Sequence, residues 1–157
     1  MNSHRPEFIA DTMLQGLGKW LRFIGFSTVI ADNFKMARLL LLANPSLIFI
    51  TSSSDHLREL GEFTAFMVRK NSIAEQLQEI DNHFHIFQRL NLFTICSLCN
   101  IPAQPISREE IRDRIPEAVK NNFEDFWICP GCQRIYWQGG HIQRLLEKMQ
   151  RMGIPIQ

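Results

Sequence analysis

All four cysteines of the chain stand in two short pairs, Cys96 with Cys99 and Cys129 with Cys132, each pair separated by two residues. A CxxC loop lets two thiolates reach one tetrahedral Zn²⁺, and a second loop completes a four-cysteine shell. Four thiolates leave no open coordination position, so the zinc they predict is structural. The segment between the pairs is longer than the roughly 15–20 residues of the common pattern, a small penalty because closure entropy grows slowly with loop length. The alternatives are a redox pair or four separate buried thiols; the pairing of every cysteine favours zinc.

The second candidate is a carboxylate. In "EFIADTML" an apolar run ends in Asp11 and a helical pattern follows at once. Functional residues of open α/β sheets gather at the carboxyl ends of strands, so Asp11 stands where an acid holding Mg²⁺ or Mn²⁺ would sit. It is equally well placed to be the N-cap of the helix that follows, a role aspartate fills readily. Lys19 and Arg22, three residues apart on that helix, are neighbours on its surface and suit a phosphate, or are simply a solvated face. Gly16 and Gly18 within it each cost about 1 kcal/mol relative to alanine, which close packing or close backbone approach would justify.

The elements that must position these groups alternate. "EFIAD", "STVIA", "SLIFITS" and "FTAFMVRK" read as strands, the third continuous and apolar as a buried parallel strand is. Between and after them, "TMLQGLGKWLRFIG", "NFKMARLLLLAN", "DHLRELG" and "SIAEQLQEIDNHF" read as helices. Met13, Leu14, Leu17, Leu21 and Ile24 share one face of the first, and Gly25 is a plausible stop. Such βα alternation predicts a parallel sheet flanked by helices. Its strand ends fall at Asp11, at Ala31 and Asp32, at Thr51 to Ser53, and at Arg69 to Asn71.

The pattern changes near residue 92. Pro102 and Pro105 mark a loop, a charged helical stretch broken at Pro116 follows, and "FWICPGCQRIYWQGG" reads as two short strands around a metal knuckle. The end of the chain combines Tyr136 and Trp137 with Arg134, His141, Arg144, Lys148 and Arg151, while Glu147 is its one acid. The aromatic residues, Trp20 and Trp127 included, suit core packing or base stacking, and the cations suit phosphate contacts. With 157 residues, 45% of them hydrophobic, and a net charge of +1, the chain can build a real core, and any nucleic-acid face must come from local clustering. No apolar leader and no unbroken membrane-length run appear, so a soluble, cytoplasmic protein without a membrane partner is expected.

Two stretches resemble a known family. "FIADTMLQGLGKWLRFIGFST" is similar to the opening of the Mut-seven C-terminal (Mut7-C) RNase domain family, a PIN-like nuclease fold that reads D-x-M-L-x-x-L-x-x-W-L-R-x-x-G. Asp11, Met13, Leu14, Leu17, Trp20, Leu21, Arg22 and Gly25 fit that pattern. The family's tail, F-W-x-C-x-x-C-x-x-x-Y-W-x-G-x-H, is matched by Phe126, Trp127, Cys129, Cys132, Tyr136, Trp137, Gly139 and His141. The resemblance implies a PIN-like α/β domain over residues 1–90, a zinc ribbon with a basic C-terminal helix over 91–157, and RNA as partner. It implies metal-dependent hydrolysis of RNA, with acids clustered around Mg²⁺ or Mn²⁺ to activate water and stabilise the leaving oxygen.

Here the pattern is partly degenerate. Asp11 is the acid in register; the place of the second acid holds Lys35, Met36, Ala37 and Arg38, the third is replaced by Ser53, and Lys70 and Asn71 follow the fourth strand. Asp32 and Asp55, displaced but near strand ends, complete the expected catalytic set with Asp11. Lys19, Arg22, Arg134, Trp137, His141 and Arg144 form the expected nucleic-acid contacts. A catalytically inactive RNA-binding module stabilised by zinc is the alternative, and a zinc-stabilised protein-interaction domain a further one.

Overall fold

A computed structural model describes residues 7–156. Its first part follows the alternation in the sequence: β1 (Phe8–Ala10), α1 (Gln15–Phe23), β2 (Thr28–Ile30), α2 (Phe34–Ala43), β3 (Ile48–Thr51), α3 (Ser54–Leu60), β4 (Ala65–Met67) and α4 (Ile73–Phe84). The four strands pair in parallel in the order β2-β1-β3-β4. A turn of 3-10 helix, Thr12–Leu14, separates β1 from α1. Asn33, Ser53 and Ser72 cap α2, α3 and α4 through their side chains, which fixes where each helix leaves its strand.

Successive strand residues point to opposite faces, and the core divides accordingly. Phe8 and Ala10 pack with Leu17 and Leu21 of α1 and with Leu77 and Ile80 of α4. Ile9 and Phe49 pack on the other face with Ala37 and Leu41 of α2 and Leu60 of α3. The glycines of α1 now separate. A Cβ on Gly18 would stand 2.8 Å from Cγ1 of Ile30 and 3.1 Å from Cβ of Ala10, so its absence lets the helix lie close on the sheet. Nothing comparable crowds Gly16, whose nearest neighbour, Cδ1 of Ile73, would be 3.7 Å away.

The second part is β5 (Gln104–Ile106), α5 (Arg108–Ile111), α6 (Glu117–Asn122), β6 (Phe126–Ile128), β7 (Ile135–Tyr136) and α7 (Gly140–Arg151). The sequence predicts a loop around Pro105, yet that residue lies in β5, opposite Trp127. β5 is an edge strand of the antiparallel sheet β5-β6-β7, where a proline's missing N–H breaks no ladder. The two parts share a core: Met149 of α7 and Ile154 beyond it are buried among the residues that pack under α1 and α4. Each such side chain contributes about 1.5–3 kcal/mol when fully buried, so α7 is anchored on the core of the first part, against α4. The junction is also stitched by Asn100, whose side-chain oxygen accepts from the backbone N–H of Thr28 at 2.9 Å, on the outer edge of β2.

Candidate functional site

The strand order reverses between β1 and β3, because the chain winds outward to β2 and then crosses back. Crevices at such switch points are where open α/β sheets bind ligands. Asp11 follows β1, and Thr51 ends β3 beside it. Asp11 is fully buried. Its Oδ1 accepts from the N–H of Thr12 at 2.8 Å, so it does cap the 3-10 turn. Its Oδ2 accepts from the Thr51 hydroxyl at 2.6 Å and from Nδ1 of His56 at 2.6 Å. The His56 ring lies flat on Phe34 from the start of α2, centroids 4.1 Å apart and planes 9° apart.

Neither Thr51 nor His56 was singled out from the sequence as a partner of Asp11. The one available signal was position: the end of a buried strand and the first turn after it. The other two expected acids stand apart from this cluster. Asp32 is exposed on the turn after β2, and Asp55, exposed in the first turn of α3, pairs with Arg58. Among the described residues, the four cysteines are the only group of three or more His, Cys, Asp or Glu side chains whose ligand atoms all lie within 4.8 Å of one another. Asp11, Asp32 and Asp55 therefore do not gather into one ligand cluster at the strand ends. Both oxygens of Asp11 accept hydrogen bonds.

The cysteines do fit a metal. Zinc–sulfur bonds of about 2.3 Å in a tetrahedron put sulfurs about 3.8 Å apart, and the Sγ atoms of Cys96 and Cys132 are separated by 3.8 Å. Burial pushes the Cys96 thiol up, but the Tyr136 hydroxyl and the amides of Cys99 and Leu98 outweigh it and hold the thiol down to about 7. Burial and the same sulfur push Tyr136 up to about 12, so it stays a hydroxyl and donates to Sγ at 3.0 Å. Such outer partners orient metal ligands and tune them. Zinc bound by these thiolates would supply fold stability and, with its shell closed, no reactive position.

Arg22, expected at a phosphate, faces inward instead. It is buried, and its Nε donates to the carbonyl of Thr28 at 2.7 Å while Nη1 donates to those of Ser97 at 2.8 Å and Leu98 at 3.2 Å. The side chain thus ties β2 to the first cysteine loop. Trp137 is half-buried against Phe126, Ile111 and Ile115, in the ribbon's own core. Lys19, Arg134, His141 and Arg144 are exposed. Three of these four, Lys19, Arg134 and His141, come together with Trp20 and Tyr136 around one open cavity of about 330 Å³ between α1 and the ribbon.

A parallel four-strand sheet flanked by helices, joined to a four-cysteine cluster that can hold zinc, defines a mixed α/β protein with a candidate metal site in its C-terminal part. The model of the Mut7-C RNAse domain matches residues 6–149, nearly the whole chain, and the chain belongs to that family. The family suggests a nuclease-like role. Comparison with curated proteins and with solved structures gave no match. Among the described residues no helix is long and apolar enough to cross a membrane.

Proposed function

We propose that this protein binds RNA as a nuclease-type member of its family and that its sheet-edge site does not hydrolyse RNA by the divalent-metal route. Membership of an RNase domain family supports RNA as the partner. One observation carries the second half of the reading: the buried carboxylate of Asp11 accepts from Thr12, Thr51 and His56, while Asp55 is engaged by Arg58 and Asp32 faces solvent. Hydrolysis of a phosphodiester by Mg²⁺ or Mn²⁺ draws on carboxylates open to the ion.

The position of Asp11 at the switch point favours a second reading, in which Asp11, Asp32 and Asp55 act in metal-dependent RNA hydrolysis. Both readings are tested together. Zinc-loaded protein is incubated with single-stranded RNA over a titration of Mn²⁺ or Mg²⁺, and RNA binding is measured by fluorescence anisotropy at low and raised salt. The expected result is salt-sensitive binding that survives Asp11→Asn, with no metal-stimulated cleavage. Cleavage that rises with the added metal and disappears in Asp11→Asn would establish the hydrolytic reading instead. Failure to bind any RNA at low salt would remove RNA from the account and leave a zinc-stabilised interaction domain.

A further inference from the structure

We infer that the cleft between α1 and the zinc ribbon is a nucleotide-binding site that holds one unpaired nucleotide of a single-stranded RNA. This inference rests on the proposal that RNA is the partner. It concerns a place separate from Asp11, which is not among the residues that line this cleft.

Four features make the case. The cavity, about 330 Å³, falls at the lower end of the range of roughly 300–1,000 Å³ that holds small ligands. Its charge is of one sign: Lys19 from the helix and Arg134 from the ribbon both line it, and no carboxylate does. Neither cation takes part in an ion pair among the described residues, so both are available to a phosphate. Its floor is aromatic: Trp20 and Tyr136 line it, and the His141 ring approaches Trp20 with centroids 6.2 Å apart. A planar base stacking on such a floor while its phosphate meets two cations is the pattern of single-strand recognition.

The fourth feature is rigidity. Trp20 is locked edge-on against Phe23, centroids 5.1 Å apart. Tyr136 is fixed by its hydroxyl, which accepts from the N–H of Ser97 at 3.2 Å and donates to Cys96. The walls are held in register by Arg22, which bonds β2 to the cysteine loop beneath. Two elements distant in sequence thus present a preformed slot, and a preformed slot loses less freedom on binding. A duplex offers it no free base face, since its bases are already stacked and its readable edges are few. The slot therefore selects single strands.

The test uses the full zinc-loaded chain and a fluorescent single-stranded RNA of about eight nucleotides. Lys19→Gln with Arg134→Gln removes both cations at exposed positions. Lys35→Gln with Arg38→Gln, on α2 across the sheet, removes the same charge elsewhere and is the control; bound zinc and the melting profile check that both pairs fold. The first pair is expected to weaken binding about tenfold at low salt and to reduce the slope of log K against log salt by about 0.7, the value for one phosphate contact on a single strand. The control pair is expected to change neither by as much as half. The same sequence as a blunt duplex is expected to bind about tenfold more weakly, and single-strand binding to quench tryptophan fluorescence. RNA that binds the wild type but is equally affected by both pairs, or a preference for the duplex, would overturn the cleft and leave RNA binding standing. No RNA binding by the wild type would overturn both.

Discussion

Replacing Arg22 with methionine tests whether this residue is the tie between the sheet and the metal loop. The straight apolar stem is kept and the guanidinium is removed. Three carbonyls lose their donor: Thr28, which is buried, and Ser97 and Leu98, which water can reach in part. An unsatisfied buried carbonyl costs about 1–3 kcal/mol, and an ordinary hydrogen bond contributes about 0.5–1.5 kcal/mol. Burial disfavours the charge on Arg22 and lowers its pKa, against the pull of Cys96, Cys99 and Tyr136, so its removal returns some of that desolvation penalty. The net loss is about 3 kcal/mol, which for a chain of this size lowers Tm by roughly 6–12 °C. Thermal melting followed by near-ultraviolet circular dichroism in excess zinc reads the first effect, and zinc release to a chromogenic chelator reads the second. Because two of the three carbonyls belong to the cysteine loop, release is expected to accelerate. Arg22→Lys should fall in between, since one ammonium cannot span both acceptor groups. A Tm within about 2 °C of the wild type together with unchanged zinc release would refute the tie.

Two further outcomes are expected. The purified chain should carry one zinc per molecule by elemental analysis, and Cys96→Ser should lose it and unfold the ribbon, because structural zinc contributes its binding energy to folding. Gly18→Ala should destabilise by about 1–3 kcal/mol in urea denaturation through overpacking on Ile30, whereas Gly16→Ala should be neutral or stabilise by up to about 1 kcal/mol; equal effects at the two sites would contradict the close packing of α1 on the sheet.

The first sheet was legible in the sequence because each strand is short and apolar and three of the four helices that follow carry a side-chain cap, so local signals agree with the topology. The zinc cluster was legible because every cysteine is paired. Long-range partners were not. His56 meets Asp11 only because β1 and β3 are neighbours, and two of the three carbonyls held by Arg22 come from a loop some 75 positions away. On an exposed-looking helix face, Arg22 carried no sign that it turns inward. Pro105 hid β5, since a strand's signal at a sheet edge is weakest where a proline replaces a donor. The cleft shows the same limit from the other side: Lys19 and Arg134 were each recognisable as cations, and only folding brings them to one cavity.

The bond from Thr28 to Asn100 has a consequence for solubility. β2 is an outer strand of the parallel sheet, and its outward N–H would otherwise be an open invitation to a strand from another molecule. Asn100 sits immediately after the first cysteine pair, in a left-handed backbone conformation that the loop imposes. Zinc bound by this loop would therefore also hold the cover on the sheet's margin. Zinc-free protein is therefore expected to bare this strand edge as well as loosen the ribbon, and to self-associate more readily by light scattering than zinc-loaded protein.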